Sequence, residues 1–426
     1  MSDGAGISRR TLLGGLAGSA AVGLAGGVAV GRADDDVPAT PEPAGGNVGF
    51  YGEHQAGIGT AAQDRLHFAA LDLLPSVSRG DLVDLLRDWT AAAAAMTTGD
   101  EIGGPAANQN EAAAPRDTGE ALGLDPAKLT ITVGFGPSLF ERGGEDRFGI
   151  AERRPRALAP LPHFADDNLD PARSGGEIAI QACSDDPQVA VHAVRNLVRL
   201  AHGAAAVRYS QLGFGRTSAT TSAQVTPRNL LGFKDGTNNI RSDDGALMRD
   251  HVWVAPRDES GPRAWIAGGS YMVARRIRMH IETWDRDPLG DQETVIGRQK
   301  LSGAPFGEAD EFAEIDFAAK NDAGELKTDP RSHVALAHPS HNSDTHILRR
   351  GYSFVDGSDE LGRLEAGLFF ISYQRSPEQF VRVQRALAGK AGDLLNEYIV
   401  HVGSGLWAVP PGVRDSRDWW GSGLFA

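Results

Sequence analysis

Hydrophobic and polar residues alternate in two series along the chain, and each series predicts strands and helices in a similar order. In the first half, one helix is predicted from Ser78, which has Asp81 three residues later as in a capping box. A second helix is predicted from Asp186-Pro187, an N-cap followed by proline at the first helical position. The predicted strands are 67–73, 129–133, 177–183 and 207–212. This β-α-β-β-α-β order is that of a ferredoxin-like unit.

The second half repeats this order of elements without a strong repeat of residues. A helix is predicted from Ser376, because Pro377 and Gln379 complete a helix start, with Gly389 as its stop. A weaker helix is predicted at about 288–297, and the predicted strands are 271–281, 348–354, 367–373 and 398–407. We therefore expect an α+β protein with two ferredoxin-like (βαββαβ) domains and antiparallel sheets, of the dimeric α+β barrel type. The expected boundaries are 49–225 and 226–426.

The N-terminus predicts export. The run from Ser8 to Leu13 contains the twin arginines Arg9 and Arg10, and a Gly-rich, uncharged stretch follows at 14–30. Small residues near 31–33 suit a cleavage site, so residues 1–33 are predicted to be a twin-arginine signal peptide. Residues 34–48 are predicted to be a disordered linker. The alternative is a transmembrane anchor, which the glycines disfavour.

Composition excludes several classes of protein. The 426 residues carry a formal net charge of −14, which argues against a nucleic-acid partner. Cys183 is the only cysteine, so a disulfide within one chain, a thiolate zinc site and covalent c-type haem attachment are excluded. Cys183 lies in an apolar strand pattern and is expected to be inert core. The length is sufficient to bury a cavity of cofactor size.

Asp235 lies in the Gly-bounded loop Gly232-Phe233-Lys234-Asp235-Gly236. Such an aspartate commonly stabilises its own turn. The functional interpretation is a carboxylate that projects into a cavity, since neighbouring glycines let the backbone lie close to a ligand.

His333 precedes an apolar stretch, where a histidine is either a hydrogen-bonded core residue or a metal ligand. His338, His341 and His346 follow closely and raise the alternative of zinc. The spacing and the nearby carboxylate of a zinc hydrolase motif are missing, which disfavours zinc.

Arg349 and Arg350 lie on a predicted strand, so their side chains should point to opposite faces. We expect one of them to reach a pocket and the other to form an ion pair at the surface.

These segments together resemble the dye-decolorising peroxidase family. The resemblance covers most of residues 50–415 and is carried by GFKDG, the downstream histidine, RRGYSF, GLFFISYQR and NEYIVHVGSG. The twin-arginine leader resembles that of the exported deferrochelatase/peroxidase branch. The resemblance implies a pair of ferredoxin-like domains and one haem b per chain.

The resemblance also implies roles for particular residues. His333 would be the proximal iron ligand, with Glu397 as its acidic partner, and Asp235 and Arg349 would be the distal catalytic pair. The remaining residues implied to contact haem are Gly236, Thr237, Asn238, Pro339, Leu368 and Phe370. Relatives often carry Asn-Pro-Arg after the proximal histidine, whereas this chain has His338-Pro339-Ser340. Arg275, Arg276 or Arg298 would then have to contact the haem propionates.

The chemistry follows from the residue types. A carboxylate can move a proton between the two oxygens of hydrogen peroxide, and a guanidinium, which stays protonated, can stabilise developing negative charge. Large reducing substrates would not fit beside the haem, and electrons would leave them through surface aromatics, for which Tyr352, Tyr373, Trp265 and Trp407 are candidates. The alternative is that these aromatics are core.

The function implied is an exported haem b peroxidase that oxidises dye-like or phenolic donors with hydrogen peroxide. The alternative of the same branch is a deferrochelatase that removes iron from haem and leaves the porphyrin intact. A third hypothesis is a binding module without haem. The expected location is periplasmic, cell-envelope-associated or extracellular. The expected partners are hydrogen peroxide, an organic reductant or haem, and the twin-arginine translocase, and iron-uptake partners and a homo-oligomer are left open.

Overall fold

A computed structural model describes residues 47–388 and 392–426. The predicted signal peptide, most of the predicted linker and Gly389 lie outside the described residues. Within them, no helix is both long and apolar enough to cross a membrane.

Among the described residues, nine strands form one antiparallel sheet, and most lie where the sequence predicts them. They are β1 (Arg65–Leu73), β2 (Thr130–Phe135), β3 (Ile178–Ser184), β4 (Ala205–Arg216), β5 (Ser270–Met279), β6 (Leu348–Arg349), β7 (Tyr352–Ser358), β8 (Leu364–Gln374) and β9 (Ile399–Val409). The strand predicted at 348–354 is interrupted at Arg350-Gly351, which separates β6 from β7.

Ten α-helices accompany the sheet in the described part of the chain. They are α1 (Arg79–Thr98), α2 (Pro105–Asn108), α3 (Pro137–Phe140), α4 (Pro187–Leu200), α5 (Gly245–Leu247), α6 (Ile281–Trp284), α7 (Leu289–Ile296), α8 (His333–Ala337), α9 (Pro377–Leu387) and α10 (Ser422–Phe425). Short 3₁₀ helices include Pro339–His341 and Leu394–Glu397. Capping boxes begin α1 at Ser78 and α9 at Ser376, as predicted.

The pairing of the strands shows two ferredoxin-like halves joined in one barrel. In the first half the neighbours are β2-β3-β1-β4, and in the second half they are β9-β5-β8-β7. Both read 4-1-3-2 when the strands of each half are numbered in order, which confirms the predicted α+β fold class. Pairing of Phe135 with Ala408 and of Phe214 with Ser353 joins the halves. The domain boundary near residue 225 stays a prediction.

Alternation along the strands separates the barrel interior from its outer face. Phe68, Met272, Tyr373 and Trp407 are fully buried in an apolar cluster inside the barrel. A larger cluster packs the outer face of the first half against α1 and α4, and it includes Trp89 and Leu197. The outer face of β5, β8 and β9 is left for α8, α9 and a long loop to cover, and the candidate site lies there.

Candidate active site

A cavity of about 240 Å³ lies against the outer face of the second half, whereas a second cavity beside α1 holds only about 20 Å³. The floor of the 240 Å³ cavity is formed by side chains that point outward from neighbouring strands. Ile277 on β5 pairs with Leu368 on β8 and with His401 on β9, and all three side chains line the cavity. Because strand residues two apart share a face, Phe370 and Met279 line it as well. The floor is therefore largely apolar and broad.

His333 occupies one wall of the cavity. It is the first residue of α8, whose N-cap Ser332 accepts a hydrogen bond from Ala335 N. His333 Nδ1 lies 2.6 Å from Asp393 Oδ2, and Asp393 Oδ1 accepts a hydrogen bond from Leu395 N at 2.9 Å. Since Asp393 is an acceptor, Nδ1 carries the proton and Nε2 is the nitrogen free to bind a metal.

Asp393 changes the proton affinity of His333. Burial disfavours the charged imidazole, but the charge of Asp393 and its hydrogen bond outweigh burial, so the pKa of His333 is raised. A carboxylate partner of this kind fixes the tautomer and makes a metal-bound imidazole more electron-donating.

The expectation that Glu397 is the acidic partner of His333 is wrong. Asp393 is the N-cap of the 3₁₀ helix Leu394–Glu397, and its side chain is 1% exposed. Glu397 lies one helical turn later and is exposed to solvent, away from the cavity-lining residues. An N-cap aspartate uses one oxygen for the helix and has a second one available, so Asp393 can hold the helix and His333 together.

Asp235 and Arg349 form an ion pair in the same cavity. Arg349 Nη1 donates to Asp235 Oδ1 at 2.7 Å, and Asn229 Nδ2 donates to Asp235 Oδ2 at 3.2 Å. Asn239 joins their two segments: its Oδ1 accepts from Arg349 N at 2.8 Å, and its Nδ2 donates to Arg349 O at 2.9 Å. Neither asparagine was predicted from the sequence: Asn229 lies six residues before Asp235, whereas the role of Asn239 depends on contacts with a segment 110 residues away.

Gly236 shows why the loop needs glycine after Asp235. Its φ is +90°, and a Cβ added there would lie 2.9 Å from Ser218 Cα. A side chain would therefore both strain the backbone and displace the neighbouring segment. Gly236, Thr237, Asn238 and Pro339 line the cavity together with Asp235.

Strand alternation decides the predictions for Arg350 and Arg276. Arg350 faces away from Arg349 as predicted, but it is 0% exposed inside the barrel, where Nη1 donates to Thr60 O at 2.6 Å, so the expected surface ion pair is wrong. Arg276 points to the barrel side and bonds Gln211 and Asp356, which excludes it as a cavity cation.

Arg275 and Arg298 do line the cavity. Arg275 is buried in an ion pair with Asp167, whereas Arg298 Nη1 donates to the main-chain oxygens of Gly303 and Glu311, each at 2.8 Å. Because Arg298 has no buried carboxylate of its own in these contacts, it is the better candidate for an anionic group of a ligand.

The structure does not favour the zinc alternative. Among residues 47–388 and 392–426, no group of three or more His, Cys, Asp or Glu side chains could hold a metal ion. His341 Nδ1 contacts Ala335 O at 2.6 Å, and His338 Nδ1 contacts Ser340 Oγ at 2.8 Å. These histidines are engaged with neighbouring oxygens.

The proposed surface aromatics are core residues instead. Tyr352, Tyr373 and Trp407 are fully buried within the barrel, and Trp265 is 9% exposed in the outer core. Cys183 is also buried inside the barrel, and burial raises the pKa of its thiol, as expected of an inert core cysteine.

Comparison with known proteins identifies the family. The model of the Dyp-type peroxidase N-terminal domain matches residues 55–215, and that of the C-terminal domain matches residues 226–414. The chain belongs to the Dyp-type peroxidase family. It is accordingly a haem-dependent peroxidase or deferrochelatase, and the cofactor of this family is haem b.

Relatives of this Dyp-type peroxidase match it over nearly its full length. It is 38% identical to a deferrochelatase of Escherichia coli O157:H7, covering 98% of this chain and 96% of the relative. It superposes with a TM-score of 0.80 on DtpA from Streptomyces lividans, at 38% identity over 90% of this chain and 98% of DtpA. A DyP-type peroxidase from Cellulomonas bogoriensis gives 0.77 at 37% identity, covering 90% and 99%.

The residues present fit a haem. One imidazole nitrogen is directed to bind iron, since the other is held by Asp393. The apolar floor suits a flat macrocycle, and Arg298 offers a cation at the cavity wall for a carboxylate. Of the residues predicted to bind haem or to act on peroxide, Glu397 lies away from this cavity, and so does Arg276 among the three arginines considered for the propionates.

Proposed function

We propose that this Dyp-type peroxidase is an exported enzyme that uses hydrogen peroxide to oxidise phenolic or dye-like donors. The observation that carries the proposal is the arrangement of three side chains around one cavity. His333, fixed by Asp393, and both members of the Asp235–Arg349 ion pair line this cavity.

Each residue has a role that follows from its chemistry. Bound haem supplies an iron centre that exchanges electrons with peroxide. His333 Nε2 would hold the iron, while Asp393 keeps the imidazole oriented and its Nδ1 protonated. Asp235 accepts a proton from one peroxide oxygen and delivers it to the other, and Arg349 stabilises the negative charge that develops on the departing oxygen.

The ion pair also orients its own members. Asp235 Oδ1 accepts from Arg349 and Oδ2 accepts from Asn229, so the carboxylate is held by two donors on different segments. Arg349 is held in turn by the two main-chain hydrogen bonds of Asn239. A proton-transferring group with so little freedom is positioned before the substrate arrives.

The test of the proposal is the axial ligand. In His333→Ala we expect haem content to fall by about tenfold or more after reconstitution, because the metal-ligand bond is lost. Absorbance spectra of wild type with and without peroxide, alongside donor oxidation, give the reference. Full haem content with an unchanged iron spectrum in the variant would contradict the assignment.

A second candidate function is removal of iron from haem with the porphyrin left intact. It is favoured by the 38% identity to proteins named deferrochelatase. The two functions are separated by incubating the protein with haem in the absence of peroxide. Fluorescent protoporphyrin would support deferrochelatase activity, whereas donor oxidation that needs peroxide, without free porphyrin, would support the peroxidase.

Export is proposed from Arg9 and Arg10 and the stretch that follows them, which lie outside the described residues. The twin-arginine translocase would then be a partner, and the mature protein would be periplasmic, envelope-associated or extracellular. Fractionation of cells that express the full chain or a chain beginning at Asp34 tests this, since only the full chain should leave the cytoplasm. Iron-uptake partners and a homo-oligomer stay predictions.

A further inference from the structure

A segment far from Asp235 in the sequence wraps the outer side of its loop. Residues 299–311, which we call the strap, form only turns and irregular backbone. Arg228 ties the start of the strap to the loop: Nη1 donates to Lys300 O at 2.6 Å and to Gly232 O at 2.8 Å, and Nη2 donates to Leu301 O at 2.7 Å. The strap is therefore fixed to the loop before it reaches Glu311.

Glu311 ends the strap and contacts the loop on both sides of Asp235. Its Oε2 forms an ion pair with Lys234 Nζ, and its Oε1 accepts a hydrogen bond from Thr237 Oγ1 at 3.0 Å. Lys234 and Thr237 flank the Asp235-Gly236 pair in the chain. The side chain of Glu311 is 8% exposed, so both contacts are formed largely away from water.

The backbone of Glu311 is held as well. Arg298, which lines the cavity, donates through Nη1 to Glu311 O at 2.8 Å. Burial alone would raise the pKa of the Glu311 carboxyl, but the hydrogen bond and charge of Lys234, together with hydrogen bonds from neighbouring threonines, outweigh burial and hold the pKa below its usual range. Glu311 is thus an ionised group in a fixed position, although it does not contact the cavity.

We propose that Glu311 is a positioning residue for Asp235. By holding Lys234 and Thr237, it fixes the backbone on either side of Asp235 and so directs the carboxylate to Arg349. It also keeps the ammonium of Lys234, a residue that borders the cavity beside Asp235, paired with a carboxylate. Without Glu311, that ammonium would compete with Arg349 for Asp235. The proposal rests on the proposed function only in so far as Asp235 acts on peroxide.

The first test uses haem-free protein, so it does not depend on peroxidase activity. Hydrogen exchange of amides 234–238 is compared in wild type, Glu311→Gln and the matched control Glu314→Gln, whose glutamate is exposed on the neighbouring segment. We expect exchange about tenfold faster or more in Glu311→Gln, because a charge-assisted contact is lost, and no change in the control. Exchange that stays within about twofold of wild type would overturn the proposal.

The second test uses holoenzyme and separates positioning from general stability. We expect Glu311→Gln to slow the reaction with peroxide by about tenfold, while haem content and the thermal unfolding midpoint stay near those of wild type. Adding Lys234→Met should restore part of the loss, because no free ammonium then competes for Asp235. If the loss of rate in the double variant equals the product of the losses in the two single variants, the proposal is overturned. A fall in haem content equal to the fall in rate would overturn it as well.

Thr237→Val is the milder variant if Glu311→Gln does not fold. It removes only the hydroxyl that donates to Glu311 Oε1, and we expect about threefold faster exchange of the same amides. Unchanged exchange would again overturn the proposal. If exchange responds as expected while wild-type holoenzyme does not react with peroxide, the positioning role of Glu311 is supported and the proposed function fails.

Discussion

His333 and Asp393 lie 60 residues apart in the sequence, yet His333 Nδ1 is 2.6 Å from Asp393 Oδ2. This contact leaves Nε2 as the nitrogen that can bind iron. Asp235 and Arg349 lie 114 residues apart and are joined at 2.7 Å. Single residues could be proposed from the sequence because rare residue types stood in unusual local contexts. Their partners could not be chosen, since Asp393 and Glu397 are both acidic residues close to the same short helix.

The contact between Asp393 and His333 predicts a pH dependence of haem binding. The raised pKa of His333 keeps its imidazole protonated to higher pH, and a protonated imidazole cannot bind iron. Haem affinity should therefore fall as the pH is lowered through that pKa. In Asp393→Asn the pKa of His333 drops, so the fall should move to lower pH, while affinity at high pH decreases by about 10- to 100-fold.

The measurement is haem titration by absorbance across a series of pH values. Glu397→Gln is the matched control, because its carboxylate is exposed and lies away from the cavity. The control should behave as wild type. A pH profile that shifts in Glu397→Gln and stays unchanged in Asp393→Asn would restore the original expectation.

At the scale of helices and strands, the sequence was sufficient where the deciding hydrogen bonds form between residues of one short segment. The capping boxes at Ser78 and Ser376 were predicted correctly because a cap involves residues within one helical turn. The strand predicted at 348–354 was wrong in its continuity. Arg350 and Gly351 lie outside both strands, although β6 and β7 pair with β8 in the same register, Arg349 with Ser372 and Tyr352 with Phe369.

The two capping boxes offer a matched pair of variants. Ser78→Ala and Ser376→Ala should each lower the free energy of unfolding by about 1 kcal/mol, because each removes an N-cap hydrogen bond. Only Ser376→Ala should also weaken haem binding, because α9 contributes Phe380 and Gln384 to the cavity wall. Denaturant unfolding and haem titration of both variants provide the measurement. Equal effects on haem binding would show that α9 does not shape the cavity.

At the scale of the whole molecule, the two halves share one closed barrel, and the closing seam between β5 and β8 forms the floor of the cavity. At this seam a Cβ on Gly367 would lie 1.9 Å from Ile277 O. The paired strands leave no space for a side chain there. Stability and haem binding are therefore connected through the same pair of strands.

Gly367→Ala should lower the free energy of unfolding by about 1–3 kcal/mol and weaken haem binding, because the strands must separate beside Ile277 and Leu368. Gly290→Ala provides a contrast: it lies in α7, is exposed, and has open space around its Cβ position. The free energy of unfolding of Gly290→Ala should rise by about 0.4–1 kcal/mol, because alanine lowers the conformational entropy of the unfolded chain. Urea unfolding of the haem-free proteins measures both changes in the free energy of unfolding. If Gly290→Ala is destabilised as much as Gly367→Ala, close packing between β5 and β8 is not the reason for the effect.

The sequence by itself determined the order of strands and helices, the helix starts and the residue types at the site, because these depend on periodicity and on neighbours within a few positions. The tertiary structure alone decided that Asp393 supports His333, that Arg350 and Arg276 face the barrel, and that Glu311 reaches the Asp235 loop. Those outcomes depend on which faces of distant strands meet when the barrel closes. Alternation gives each side chain one of two faces, and only closure of the sheet decides what lies beyond each face.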